Sequence, residues 1–116
     1  MIYSRGASKG QEMRNESNFL KNCVINEVSD DYENFEMVLK WTKRRAASRG
    51  IKASETEVAK ALQRAISEGL VSAYILSPFP PHSRKVEYTV DQLYALWYYA
   101  TPIGKSAAKG YPRTLG

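Results

Sequence analysis

Apolar residues recur at helical spacing through the first half of the chain and shift to strand-like runs in the second. The opening stretch carries no apolar period and predicts a flexible arm over residues 1–15, ordered only when something binds it. Phe19, Leu20, Cys23, Val24 and Val28 then fall three or four residues apart, which predicts a first helix over about 16–29. A second, long helix is predicted over about 31–48. Acids crowd its first turn, Tyr32, Phe35, Leu39, Thr42 and Ala46 form one stripe, and Gly50 supplies a left-handed stop. The third helix has the clearest start, because Ser54-Glu55-Thr56-Glu57 fits a capping box in which Ser54 and Glu57 satisfy each other's backbone N–H. Val58, Leu62, Ala65 and Ile66 make its buried stripe, Gly69 ends it, and Lys60, Gln63, Arg64 and Ser67 fall between the apolar positions and face outward.

Beyond Gly69 the pattern changes. Residues 70–76, LVSAYIL, read as a strand. In SPFPPHSRK, residues 77–85, three prolines in four positions remove donors and fix φ, so the stretch reads as a projecting loop. VEYTV runs back as a second strand, DQLYAL forms a short helical turn from Asp91, and WYYA is a third short strand. Thr101 is a good N-cap with Pro102 at the first helical position, so TPIGKSAA opens a short terminal helix. That placement disposes of the Gly104-Lys105-Ser106 run as a phosphate loop. A P-loop needs a further glycine where this chain has Tyr99.

The 116-residue length and the 43% hydrophobic and 25% charged shares describe one ordinary globular domain. The net charge of +5 adds more once it is located. Residues 40–52, KWTKRRAASRGIK, hold six Lys/Arg and no acid, and Lys105, Lys109 and Arg113 follow near the end. Clustering of this kind suits a polyanionic partner, and bases at a helix C-terminus also complement the helix dipole. No apolar stretch approaches the length of a bilayer span and no signal-peptide core is present, so a cytoplasmic location is expected.

Little catalytic chemistry is available. Cys23 lies in an apolar run and reads as a core residue. His82 is the sole histidine and reads as a solvated loop residue. Asp30, Asp31, Glu33 and Glu36 lack the glycine and spacing of a calcium loop and are read as a helix N-terminus. No enzyme activity, metal or cofactor is expected.

The order helix, helix, turn, helix, strand, proline-bearing loop, strand resembles the winged helix-turn-helix proteins found among bacterial transcription regulators. LQRAISEGLVSAYIL is similar to that family's recognition-helix exit into the wing, and WYYATPIGKSAA to its Tyr-x-Leu-Thr-x-x-Gly-Lys close, with Ala100 where the family often has Leu. The resemblance covers about residues 16–109 and leaves 110–116 as a tail. It implies an α+β fold: a three-helix core, a small antiparallel β-wing and a short C-terminal helix. It also implies that double-stranded DNA is read by the third helix through Thr56, Lys60, Gln63 and Arg64. Arg84 and Lys85 would serve as wing contacts, with Lys43, Arg44 and Arg49 on the backbone. The alternative is a winged-helix module that binds a protein partner or a second copy of itself through the aromatic residues of LYALWYYA and YILSPFPP. A continuous positive surface joining Arg64 to Lys85 favours the first reading, and interruption by acids favours the second.

Overall fold

The computed structural model describes residues 4–108, with side chains from residue 16 onward. Four helices pack with a four-stranded antiparallel sheet, an α+β architecture. Helix α1, Ser4–Glu27, begins upstream of the expected start at residue 16, so the backbone of residues 4–15 is helical where the apolar pattern predicts an arm. The tail over 110–116 lies outside the described residues. Strand β1, Glu33–Asn34, separates α1 from α2, Phe35–Ala47. The acids at 30–33 therefore precede the second helix. Its N-cap is Asn34, which accepts from the Met37 N–H at 3.0 Å, and Glu36 is the acid in its first turn.

Helix α3, Glu55–Ser67, starts as the sequence predicts. The Glu57 N–H donates to Ser54 Oγ at 3.1 Å, and the Ser54 N–H donates to Glu57 Oε1 at 2.8 Å. Helices α2 and α3 end alike. The Ile51 N–H reaches the Ala46 carbonyl and the Leu70 N–H reaches the Ala65 carbonyl, both at 2.9 Å, around glycines at φ +75° and +76°. These are Schellman closures, and a side chain at Gly50 or Gly69 would be strained by that backbone.

Strand β2, Val71–Leu76, lies inside the sheet, pairing with β3, Ser83–Val86, on one side and β4, Trp97–Ala100, on the other. β4 also pairs with β1, which gives the order β1-β4-β2-β3. The returning strand starts at Ser83, earlier than VEYTV predicts. Residues 87–96 leave the sheet through a 3-10 turn, Val90–Gln92, before β4 rejoins it on the far side of β2. Helix α4, Pro102–Ala108, closes the chain, with the Gly104 N–H donating to Thr101 Oγ1 at 3.0 Å, the cap that the Thr-Pro pair foretells.

The core lies between the helices and one sheet face. Val24, Ile25 and Val28 of α1 meet Phe35 and Val38 of α2, Val58 and Leu62 of α3, and Val71, Ala73, Tyr98 and Ala100 of the sheet. Tyr98 is fully buried and donates to the Leu93 carbonyl at 2.7 Å, which satisfies its hydroxyl. Tyr32, expected in the stripe of the second helix, sits ahead of β1 on the opposite sheet face, ring to ring with Tyr74 and Tyr99 at 5.1 and 5.0 Å.

Candidate nucleic-acid interface

The basic run folds into the last two turns of α2 and the α2–α3 turn. Because Val38, Thr42 and Ala46 face the core, the residues between them project outward: Lys40, Trp41, Lys43 and Arg44 are exposed, as are Arg49 and Lys52 beyond the helix. Arg45 departs from this set and pairs with Glu27 of α1 at 3.5 Å. Among the described residues no carboxylate pairs with Lys40, Lys43, Arg44, Arg49 or Lys52. Trp41 stays 39% exposed with Arg44 Cζ 4.9 Å and Lys40 Nζ 5.4 Å from its ring centre, and Arg49 Cζ lies 4.8 Å from the Phe19 ring. Such cation–π contacts hold the cations in place without cancelling their charge. A shallow groove of about 490 Å³ runs through the band, with Lys43, Arg44 and Lys52 around Ala47, Gly50, Ile51 and Ala53. Ile51 also lines a second groove, of about 290 Å³, between α1 and α3, where Lys60 lies. The band thus adjoins α3.

On α3, Thr56, Lys60, Gln63 and Ser67 are exposed and recur at helical spacing opposite Val58, Leu62 and Ala65, as predicted. Arg64, its side chain 40% exposed, borders the α1–α3 groove with Lys60 and is engaged there. Its Nε donates to Glu68 Oε2 at 3.0 Å and its Nη1 to Ser17 Oγ at 3.2 Å, while Lys21 Nζ pairs with the same carboxylate at 2.8 Å. Those two hydrogen bonds hold the Glu68 carboxyl below its ordinary range. Arg64 therefore clamps α1 to α3. Glu68, four residues on, is the sequence signal for that role. The two acids of the leading turn are engaged as well, Glu57 in the capping box and Glu55 as acceptor from the Tyr94 hydroxyl, which raises the Tyr94 pKa. Glu16 and Glu57 also border the α1–α3 groove, so its lining is mixed in charge.

Arg84 and Lys85 are both exposed on β3, but the pleat sends them to opposite faces. Arg84 pairs with Ile75, on the face that carries Ala73 and Tyr98 towards the core. Lys85 pairs with Tyr74 on the outer face, among Tyr32, Trp97 and Tyr99. Lys105 covers that cluster from α4, with Nζ 4.3 Å from the Tyr99 ring centre and donating to its hydroxyl at 2.6 Å. Lys40, Trp41 and Lys52 belong to the basic run, yet no spacing in the sequence singles them out as contacts.

Cys23 is buried and its thiol is pushed up to about 11, chiefly by desolvation, which agrees with the core reading. Burial, then the neighbouring charges of Glu27 and Asp31, raises the Glu33 carboxyl. Among the described residues no three His, Cys, Asp or Glu side chains converge as a metal site, and no helix is long and apolar enough to cross a membrane. No family model, no curated protein and no solved structure matches this chain.

Proposed function

We propose that this protein binds double-stranded DNA as a small regulator of the winged helix-turn-helix kind. The observation that carries the reading is the band of five cations, Lys40, Lys43, Arg44, Arg49 and Lys52, gathered at the end of α2 and the following turn without a carboxylate partner among the described residues. A solvated helix end needs one or two such charges to satisfy its dipole, and a cluster of five suits a polyanion such as a phosphate backbone better. Lys43, Arg44 and Arg49 keep their backbone role and gain Lys40 and Lys52. Thr56, Lys60 and Gln63 on the outer face of α3 are the candidate base contacts, with Gln63 able to make a bidentate pair with adenine. Arg64 holds the reading helix in place and touches no base. Arg84 and Lys85 reach the nucleic acid from the β2–β3 hairpin, one from each face of its strand.

The protein-interaction reading keeps one observation in its favour. The outer sheet face presents half-exposed Tyr32, Tyr74, Trp97 and Tyr99 in one aromatic cluster. Substitution separates the two readings. If DNA is the partner, Lys43→Ala/Arg44→Ala weakens binding to every duplex alike in a fluorescence-anisotropy titration, whereas Gln63→Ala alters preference among sequences with little change in average affinity. If no variant of the band changes duplex binding, the DNA reading fails. Self-association or partner binding through the aromatic face would then take its place.

A further inference from the structure

The β2–β3 hairpin ends in residues 77–82, and its tip is pinned from within. The Ser77 N–H donates to the His82 carbonyl at 2.9 Å, His82 Nδ1 lies 3.3 Å from the Ser77 carbonyl, and Ser77 Oγ accepts from the Phe79 N–H at 3.1 Å. Pro78 and Pro80 flank Phe79 and Pro81 follows, each with φ fixed by its ring. On this stiffened loop Phe79 is 74% exposed, the most exposed large apolar side chain among the described residues. Single exposed apolar residues are commonplace and need no explanation. Phe79 differs because its backbone is held in place before any ligand arrives. The hairpin that carries it, residues 71–86, contains Arg84 and Lys85 and no acid.

An exposed apolar ring at the tip of a hairpin whose stem carries a cation on each face suits a ligand whose apolar interior is flanked by negative charge. A base step of duplex DNA, bordered by the phosphates of both strands, has that form. We propose that Phe79 is a wedge that enters the minor groove, partly unstacks one base step and kinks the duplex. Insertion of an apolar side chain at a base step is a general device for bending DNA. The divergence of Arg84 and Lys85 fits this task. A hairpin standing edge-on in the groove turns one face of β3 towards each strand, so each cation meets the phosphates of a different strand. The hairpin follows α3 closely in the chain, with Glu68, Gly69 and Leu70 between that helix and the start of β2. The inference rests on the DNA-binding reading above.

The experiment uses the full chain and a 30-base-pair duplex carrying 2-aminopurine at an internal step and a fluorophore pair at its ends. Anisotropy of the same duplex reports binding, and wild type is compared with Phe79→Ala, Phe79→Trp and Arg84→Ala/Lys85→Ala. Wild-type binding raises the 2-aminopurine emission and shortens the end-to-end distance. Phe79→Ala abolishes both signals while duplex affinity falls only about tenfold or less, because the phosphate contacts remain. Phe79→Trp restores them. Circular dichroism confirms that each variant folds. Binding in which wild type and Phe79→Ala leave the duplex equally straight and stacked overturns the wedge and leaves the DNA reading standing. Absence of any duplex binding by wild type overturns both. Sedimentation of wild type but not Phe79→Ala with phosphatidylserine vesicles, with no change in 2-aminopurine emission, assigns the exposed ring to an anionic lipid surface and overturns the proposal as well.

Discussion

Replacing Gly104 by alanine tests why the Gly-Lys-Ser run is there at all. Gly104 is buried in α4, and a Cβ built on it would lie 1.9 Å from the Leu70 carbonyl oxygen and 2.8 Å from the Leu70 carbonyl carbon. The obstacle is backbone, so no side-chain rotation relieves it. α4 must back away by about 1 Å or more, and overpacking of that kind costs about 1–3 kcal/mol. The Leu70 carbonyl also accepts from the Thr101 N–H at 3.0 Å, and Thr101 Oγ1 donates to the Gly69 carbonyl at 2.7 Å. Loss of one of these bonds adds about 1 kcal/mol, which roughly offsets the helix-propensity gain of alanine over glycine. The expected net destabilisation is about 1–3 kcal/mol. Urea unfolding followed by the fluorescence of Trp41 and Trp97 measures it. Gly50→Ala is the control: φ is +75° but nothing lies within 4 Å of the added Cβ, so the strain alone costs about 1–2 kcal/mol. A Gly104→Ala protein as stable as wild type, or less affected than Gly50→Ala, would refute the close-approach explanation.

Three further outcomes follow from side chains in the core and at the helix contacts. Thr42 is fully buried in α2 and its hydroxyl has no hydrogen-bond partner among the described residues, so Thr42→Val is expected to stabilise the protein by about 1 kcal/mol in the same urea assay. Cys23, buried and with its thiol near pKa 11, should resist Ellman's reagent at pH 8 in the folded protein and react fully in denaturant. The Glu68 carboxyl, lowered first by its hydrogen bond from Lys21 and then by that from Arg64, contributes stability that is present above the unfolded carboxylate pKa and lost as pH falls through the lower folded value. Glu68→Gln should therefore remove a small part of the acid-side loss of stability seen by circular dichroism between about pH 5 and pH 3, small because the carboxylate is largely exposed.

Features set by local chemistry were readable from the chain alone. Ser54 with Glu57, Thr101 with Pro102, and the left-handed Gly50 and Gly69 each mark an element end through a short-range bond or a backbone requirement, and each stands where the pattern puts it. WYYA forms a strand over the predicted residues. Features set by tertiary contact were not readable. β1 is two residues long and exists only because β4 lies beside it, so no periodicity could announce it. Tyr32 fits a helical stripe by spacing, yet pairing of the next residues with β4 turns it onto the outer sheet face. Ile25 and Val38 are fully buried although the predicted stripes omit them, because each helix packs on more than one neighbour. In the candidate interface, the basic run located the charge but could not tell Arg45, taken by Glu27, from its unpaired neighbours. Outward spacing likewise placed Arg64 with Lys60 and Gln63. It stands there in part exposed, but its bonds to Glu68 and to Ser17, the second of them distant in sequence, were not legible from spacing.

The salt dependence of duplex binding tests the central claim most directly. If Lys40, Lys43, Arg44, Arg49 and Lys52 each neutralise one phosphate, affinity for a mixed-sequence duplex falls about 500-fold between 50 and 200 mM salt, from a logarithmic slope of about −4.5. Lys43→Ala/Arg44→Ala should reduce that slope by about two. Fluorescence anisotropy across the salt range reads both values. A steep wild-type slope that flattens in the double variant is the result expected of a DNA-binding band. A slope near zero, or one that the double variant leaves unchanged, would show that these cations do not meet a phosphate backbone.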